Sequence, residues 1–247
     1  MAATGKIVAT IEARMTSSRL PGKVLMSAVG KPMLELMVER LTRVPSLAGI
    51  VIATTVNDSD DPVVELADRL GVGCYRGSEP DVLQRVLDAA RSVDADVIVE
   101  TTGDCPLIDP ALVETCVQEY LVSHVDYVSN ILERTYPVGM DTQVFATDIL
   151  ADVASRTMDA ADREHVSLYI YRHPEIYSLK NCPGPEELTD PGLGLTLDTP
   201  EDFQLIGRIF EALYPTNPAF DLADILDLLK GQPDLLALNH HVRRKHV

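Results

Sequence analysis

Residues 6–25 read KIVATIEARMTSSRLPGKVL. KIVATIEA (6–13) is a short β-rich apolar run, and the chain then turns polar, rich in hydroxyls and punctuated by Pro21-Gly22. MLELMVERLTRV (33–44) follows and places Leu34, Met37, Leu41 and Val44 on one helical face. Strand, polar loop and amphipathic helix make the opening unit of an alternating α/β chain. GIVIATT (49–55), VGCYR (72–76) and DVIVETT (96–102) read as further strands. PVVELADRL (62–70), EPDVLQRVLDAARSV (79–93) and DPALVETCVQEYL (109–121) read as the helices between and after them, with Asp109 as N-cap and Pro110 at the first helical position. Strands that are apolar throughout are covered on both faces, so the fold class is α/β with a mainly parallel sheet flanked by helices.

After VDYVSN (125–130) the rhythm breaks. Residues 131–190 hold irregular segments, GMDTQVFA (139–146) and a helix near REHVSLYIYRH (163–173), and are expected to form an insertion over one side of the sheet. GLTLDT (194–199) is expected to return to the core as a late strand. PEDFQLIGRIFEAL (200–213) then starts a helix with Thr199 as cap, Pro200 at its first position, and Glu201 and Asp202 at its positive end. The tail NHHVRRKHV (239–247) is basic and reads as a solvated end.

The 247 residues suit one domain spanning 1–247. No apolar run reaches the length of a bilayer span. The N-terminus reads as a strand rather than a signal peptide, and the four cysteines (Cys74, Cys105, Cys116, Cys182) show no metal or CxxC spacing. A cytoplasmic protein with reduced thiols is expected. The net charge of −17 argues against nucleic acid and anionic membranes as partners. Yet from Ala13 to Leu34 there is no acidic residue, while Arg14, Arg19, Lys23 and Lys31 all fall there. An acidic chain that keeps a basic island is equipped for one small anion.

Ligands of open α/β sheets bind outside the carboxyl ends of the strands. ARMTSSRLPGK, TTVNDSDD, RGSEPD, TGDCPLID and LDTPED all follow expected strands, and are expected to face one crevice. Dinucleotide (GxGxxG), P-loop (GxxxxGK[ST]) and nucleophile-elbow (GxSxG) patterns are absent at the required places. Phosphate chemistry remains. Arg14 and Arg19 offer forked donors, Lys23 a point charge, Ser17 and Ser18 hydroxyls, and Gly22 a close backbone approach. Asp104 and Asp198, each at an expected strand end, suit Mg²⁺, which takes few protein oxygens and completes its shell with water and phosphate.

Taken together, ARMTSSRLPGKVL, VIATTVNDSDDPVVELADRLGV, YRGSEPDVLQR, TGDCPLIDP, DYVSN, TYPVGMD, REHVSLYIY and LTLDTPEDF resemble the cytidylyltransferases of the spore-coat polysaccharide SpsF type, relatives of the CMP-KDO and CMP-neuraminate synthetases. The resemblance implies a GT-A-like nucleotidyltransferase fold and a reaction of CTP with an acceptor to give a CMP-linked product and pyrophosphate, with Mg²⁺. By position it implies Arg14, Ser18, Arg19 and Lys23 in a triphosphate loop, and Ala13, Ala53, Thr54 and Thr55 near the base. It implies nucleotide or sugar contacts at Arg76, Asp81 and Arg85, metal carboxylates at Asp104 and Asp198, and an acceptor-facing set of Asp141, Glu164 and His165. The resemblance further implies that Arg14, Lys23 and Asp104 carry the catalysis, that the acceptor is a small anion, and that 131–190 is an acceptor and homodimerisation region. CMP-KDO synthetases carry GDEP where this chain has GDCP, so Cys105 removes a carboxylate and favours the SpsF branch. A glycosyltransferase using a nucleotide sugar, and a non-catalytic nucleotide-binding relative, are the competing readings. The first lacks its D-x-D motif here, since the place reads Asp104-Cys105-Pro106.

Overall fold

In the computed structural model, which describes residues 5–242, the apolar runs become strands of one seven-stranded sheet. Strand β1 (Ile7–Glu12) is central; a hairpin of β2 (Ser27–Ala28) and β3 (Lys31–Pro32) and helix α1 (Met33–Leu41) follow it. Next come β4 (Gly49–Thr55), α2 (Asp61–Leu70), β5 (Gly73–Gly77), α3 (Val82–Ser92), β6 (Val97–Thr102), α4 (Pro110–Ser123) and β7 (Tyr127–Ser129). The second half holds β8 (Gln143–Ala146), α5 (Thr147–Arg156), α6 (Ala160–Glu164), α7 (Leu168–Arg172), β9 (Leu179–Asn181), α8 (Pro200–Leu213), α9 (Leu222–Gly231) and α10 (Pro233–Leu236). Strand order is β5-β4-β1-β6-β8-β7-β9. The first four strands are parallel, and β8 alone runs against its neighbours. This is the mostly parallel mixed sheet that the resemblance implies.

Both sheet faces are covered, which is why the strands lack polar alternation. Ile7, Ala9 and Ile11 pack with Leu34, Met37 and Leu41 of α1 and Val63 and Leu66 of α2. Val8, Val51 and Ile98 pack on the other face with Leu83, Val86 and Ala90 of α3. A third cluster joins Leu195 and Leu197 to α8 and α9. Asp109 caps α4, accepting from the Ala111 amide at 2.8 Å, as its sequence predicts. No helix of the described residues is long and apolar enough to cross a membrane.

Three expectations need correction. Residues 131–190 are only in part laid over one side of the sheet: α5 and α7 pack on the face that α3 covers, but β8 enters the sheet between β6 and β7, and β9 extends its edge. The expected helix over 163–173 breaks at His165–Ser167 into α6 and α7. Residues 194–199 form no strand of the sheet; Gly194 makes one isolated bridge to Val138, and the Leu197 amide bonds the Asp104 carbonyl at 2.8 Å. The alternation Leu193, Leu195, Leu197 mimics a strand because it fills the third cluster. Thr199 and Asp202 form the expected helix start as a reciprocal capping box.

Gly139 locks these two segments together. Its φ is +106°, and an added Cβ would lie 2.7 Å from the Leu195 carbonyl carbon. Gly139→Ala is therefore expected to cost at least about 2 kcal/mol, combining backbone strain with a clash against immovable main chain. A lowered urea midpoint with unchanged slope checks this; an unaltered midpoint contradicts it.

Candidate active site

The C-terminal ends of β1 and β6 open into a cleft of about 570 Å³. The loop after β1 forms its basic wall. Gly22 takes a left-handed φ of +72°, which turns the chain so that Lys23 begins a short 3₁₀ turn. The Lys23 Nζ donates to Asp104 Oδ2 at 2.8 Å and to Asp198 Oδ1 at 3.0 Å. Arg19 reaches the same Asp198 oxygen at 2.9 Å. Two carboxylates from distant parts of the chain thus converge on one ammonium. Although burial opposes it, their charge holds Lys23 above its ordinary pKa. Burial likewise opposes ionisation of Asp104, but Lys23 and the Thr102 hydroxyl hold its carboxyl below the usual range. Among the described residues no group of three or more His, Cys, Asp or Glu forms a metal cage. A pair of hard carboxylates meeting at one point nevertheless fits Mg²⁺, which needs few protein ligands.

Other loops brace this wall. Asp60 accepts from the Met15 amide at 2.7 Å, and Glu79 binds Arg14 at 2.9 Å while also accepting from Asn57 and Thr16. The stretches after β4 and β5 therefore support the loop instead of lining the cleft. Ala13, Arg14, Ser18, Arg19, Lys23, Arg85, Asp104 and Asp198 do line it. Ala53, Thr54 and Thr55 are buried within β4 and do not; the Ala53 carbonyl accepts from Arg85, and Thr55 from its hydroxyl binds Asp60. Arg76 also lies outside the cleft, spent on Asp61 and the Thr55 and Asn57 carbonyls. Asp81 caps α3 through the Gln84 amide and pairs with Arg163 at 3.4 Å. In these three placements the side chains lie against protein partners, outside the lining of the cleft. Cys105 is buried, and burial pushes its thiol well above the usual range, which unfits it as a nucleophile.

Glu164 and His165 sit on the border between the cleft and a second cavity of about 780 Å³, which Asp141 also lines. Asp141 is held by Arg134 through two bonds at 2.5 and 2.9 Å. The neighbouring registers Glu12↔Thr102, Thr10↔Glu100 and Glu100↔Gln143 put a polar row on the sheet face where α3 packs. Glu12 and Glu100 in this row were not singled out by sequence reasoning. The available signal was a carboxylate inside or ending an otherwise apolar strand, as in IVATIE and VIVETT. Burial, then mutual repulsion with Glu100, raises the Glu12 pKa well above the ordinary value. Burial pushes Glu100 up to about 7, against hydrogen bonds from Ser167 and Gln143. Asn239 was also missed: the tail is anchored by its bonds to the Gly194 carbonyl at 2.9 Å and to Asp202 at 2.8 Å. Residues 243–247, the rest of the tail read as solvated, lie outside the described residues.

A parallel-sheet crevice with a basic loop facing paired carboxylates fits a nucleotide-handling transferase. The chain belongs to the cytidylyltransferase family, whose model matches residues 8–231. It is similar to the spore coat polysaccharide biosynthesis protein SpsF of Bacillus subtilis, with 32% identity covering 92% of this chain and 95% of that protein. Among solved structures it is similar to a cytidylyltransferase from Leptospira borgpetersenii, with TM-score 0.89, 31% identity, and 98% and 100% of the two chains covered. A CMP:2-keto-3-deoxy-manno-octonic acid synthetase complexed with CTP shares the fold, at TM-score 0.64 and 21% identity over 83% of this chain and 98% of that one.

The raised Glu100 has a consequence for stability. Its folded pKa of about 7 exceeds the ordinary 4.5, so between these values the native state holds the extra proton. Stability from this site is therefore fully present below pH 4.5 and is lost as pH rises through about 7. Glu100→Gln should be more stabilising at pH 8 than at pH 4. Urea melts at both pH values check it; an equal effect at both contradicts it.

Proposed function

We propose that the protein transfers CMP from CTP to a sugar acid, phosphorylated or phosphonate acceptor and releases pyrophosphate. The observation that carries this reading is the Lys23 bridge between Asp104 and Asp198, with Arg19 on the same oxygen. These cations and anions neutralise one another until a metal-bound triphosphate arrives. Lys23 and Arg19 would then exchange carboxylate for phosphate oxygens, leaving Asp104 and Asp198 to hold Mg²⁺. Bound there, Mg²⁺ would supply Lewis-acid stabilisation of charge on the α-phosphate. The relationship to SpsF and the shared fold with a CTP-bound synthetase support the choice of nucleotide and the sugar-acid class.

The reaction is an in-line displacement. An acceptor oxygen forms the new bond to the α-phosphorus, and the α–β bridging oxygen leaves with pyrophosphate. Positioning and charge neutralisation supply the rate. Arg14, Arg19 and Lys23 neutralise the leaving pyrophosphate. Arg85 sets the floor of the cleft, its guanidinium fixed by the Ala53, Ser78 and Glu79 carbonyls. Glu164 and His165 stand between the two cavities, where the acceptor oxygen must pass.

Asp104→Asn should lower turnover by about a hundredfold or more while leaving the fold intact. Lys23→Ala should raise the KM for CTP about tenfold or more, the worth of one charge-assisted hydrogen bond. Pyrophosphate release from CTP, Mg²⁺ and a panel of acceptors reads both. Nearly unchanged rates in Asp104→Asn contradict the metal assignment, and unchanged CTP dependence in Lys23→Ala contradicts the loop assignment.

A further inference from the structure

Asp60 closes the short 3₁₀ turn of Asp58–Asp60 and is the last residue before α2. An aspartate at that place ordinarily caps the helix by accepting from its first amides. This one is fully buried, yet its side chain makes no capping bond to α2. Its carboxylate is turned instead to the base of the loop after β1. One oxygen accepts from the Met15 amide at 2.7 Å, and the other accepts from the amide and the hydroxyl of Thr55 at the end of β4. Helix α2 thus starts without a side-chain cap, and the group placed to supply one holds a different part of the chain.

Met15 is the residue at which that loop closes. Its carbonyl accepts from the Gly22 amide at 2.9 Å, so the intervening residues, with Ser17, Ser18 and Arg19 of the cleft wall among them, form a small ring. Asp60 ties this ring to the sheet through Thr55, and Lys23 follows directly on Gly22. Glu79 holds the side chains of Arg14 and Thr16 on either side of Met15, but it is partly exposed, and its partner Arg14 lines the cleft where a phosphate can take it over. Asp60 grips main chain from beneath and does not line the cleft, so a bound ligand leaves its contacts in place.

We infer that Asp60 is a positioning residue for triphosphate binding: it fixes Met15, and through the Met15–Gly22 closure it sets the aim of Arg14, Ser18, Arg19 and Lys23 without touching the nucleotide. This rests on the reading of the loop as the triphosphate site and adds the residue that shapes it. A carboxylate suits the task, because it accepts on both oxygens; an amide would turn an N–H against one of the three donors that meet there. A loop held in its binding shape beforehand loses less freedom when the ligand arrives, so the cap withheld from α2 returns as nucleotide affinity.

Asp60→Asn and Asp60→Ser in the full chain separate this role from a packing role. Serine is a good helix cap and is one bond too short for the Met15 contact, so it can cap α2 while leaving the loop unheld. Calorimetry with CTP and with CMP, each in the presence of Mg²⁺, reads the triphosphate contribution as the ratio of the two affinities, and urea melts establish that each variant is folded. Both variants should bind CTP about tenfold more weakly, the worth of one charge-assisted hydrogen bond, with CMP affinity changed by less than about twofold. If Asp60→Asn does not fold, Asp60→Ser carries the comparison. CTP affinity within about twofold of wild type in a folded variant, or CTP and CMP weakened alike, overturns the inference. A wild-type chain that binds CTP no better than CMP strikes the underlying reading of the loop, and the role of Asp60 with it.

Discussion

The contact on which the site depends is the ammonium of Lys23 held between Asp104 and Asp198. It ties the loop after β1 to the turn after β6 and to the extended segment before α8, which are far apart in sequence. Two carboxylates facing one point repel unless a cation lies between them. Lys23 supplies that cation, and the loop has a fixed anchor. The surrounding structure is arranged to keep that anchor in place: Leu197 bonds the Asp104 carbonyl, and the Asp202 carboxylate receives the Asp198 amide. Asp202 is in turn tied to the tail through Asn239.

The sheet also explains why two cavities of different character can share one border. Parallel strands end together, so β1 and β6 deliver the basic loop, the acidic turn and the Glu12–Thr102 pair to one edge. The basic side suits a polyphosphate in a molecule whose net charge of −17 repels anions elsewhere. The acidic side lies over β6 and β8, and owes its shape to the entry of β8 into the sheet.

Much of the fold was legible in the sequence because each element carries its own signal. Three of the four parallel strands, β1, β4 and β6, are largely apolar runs, and Asp109-Pro110 and Thr199-Pro200 mark helix starts by local chemistry. The basic loop was legible as a charge anomaly, and Asp104 and Asp198 as carboxylates at expected strand ends. What escaped depends on pairing at long range. The placement of β8 between β6 and β7 leaves no local trace, and residues 194–199 alternate like a strand while filling a core elsewhere. Arg76 and Asp81 look like ligand contacts in sequence, yet fold against neighbours that only the tertiary structure supplies. Glu12 and Glu100 hide inside apolar runs, where a carboxylate is easily read as a strand end.

The central claim is that Asp104 and Asp198 would hold the metal proposed for this site, and that Lys23 would give up these carboxylates to the nucleotide. The most direct measurement is a crystal structure of the protein with CTP and Mg²⁺. The account predicts a metal held by Asp104 and Asp198, with the Lys23 ammonium moved onto a phosphate oxygen. A nucleotide bound with Lys23 still bridging the two aspartates, and the metal held elsewhere, would contradict it.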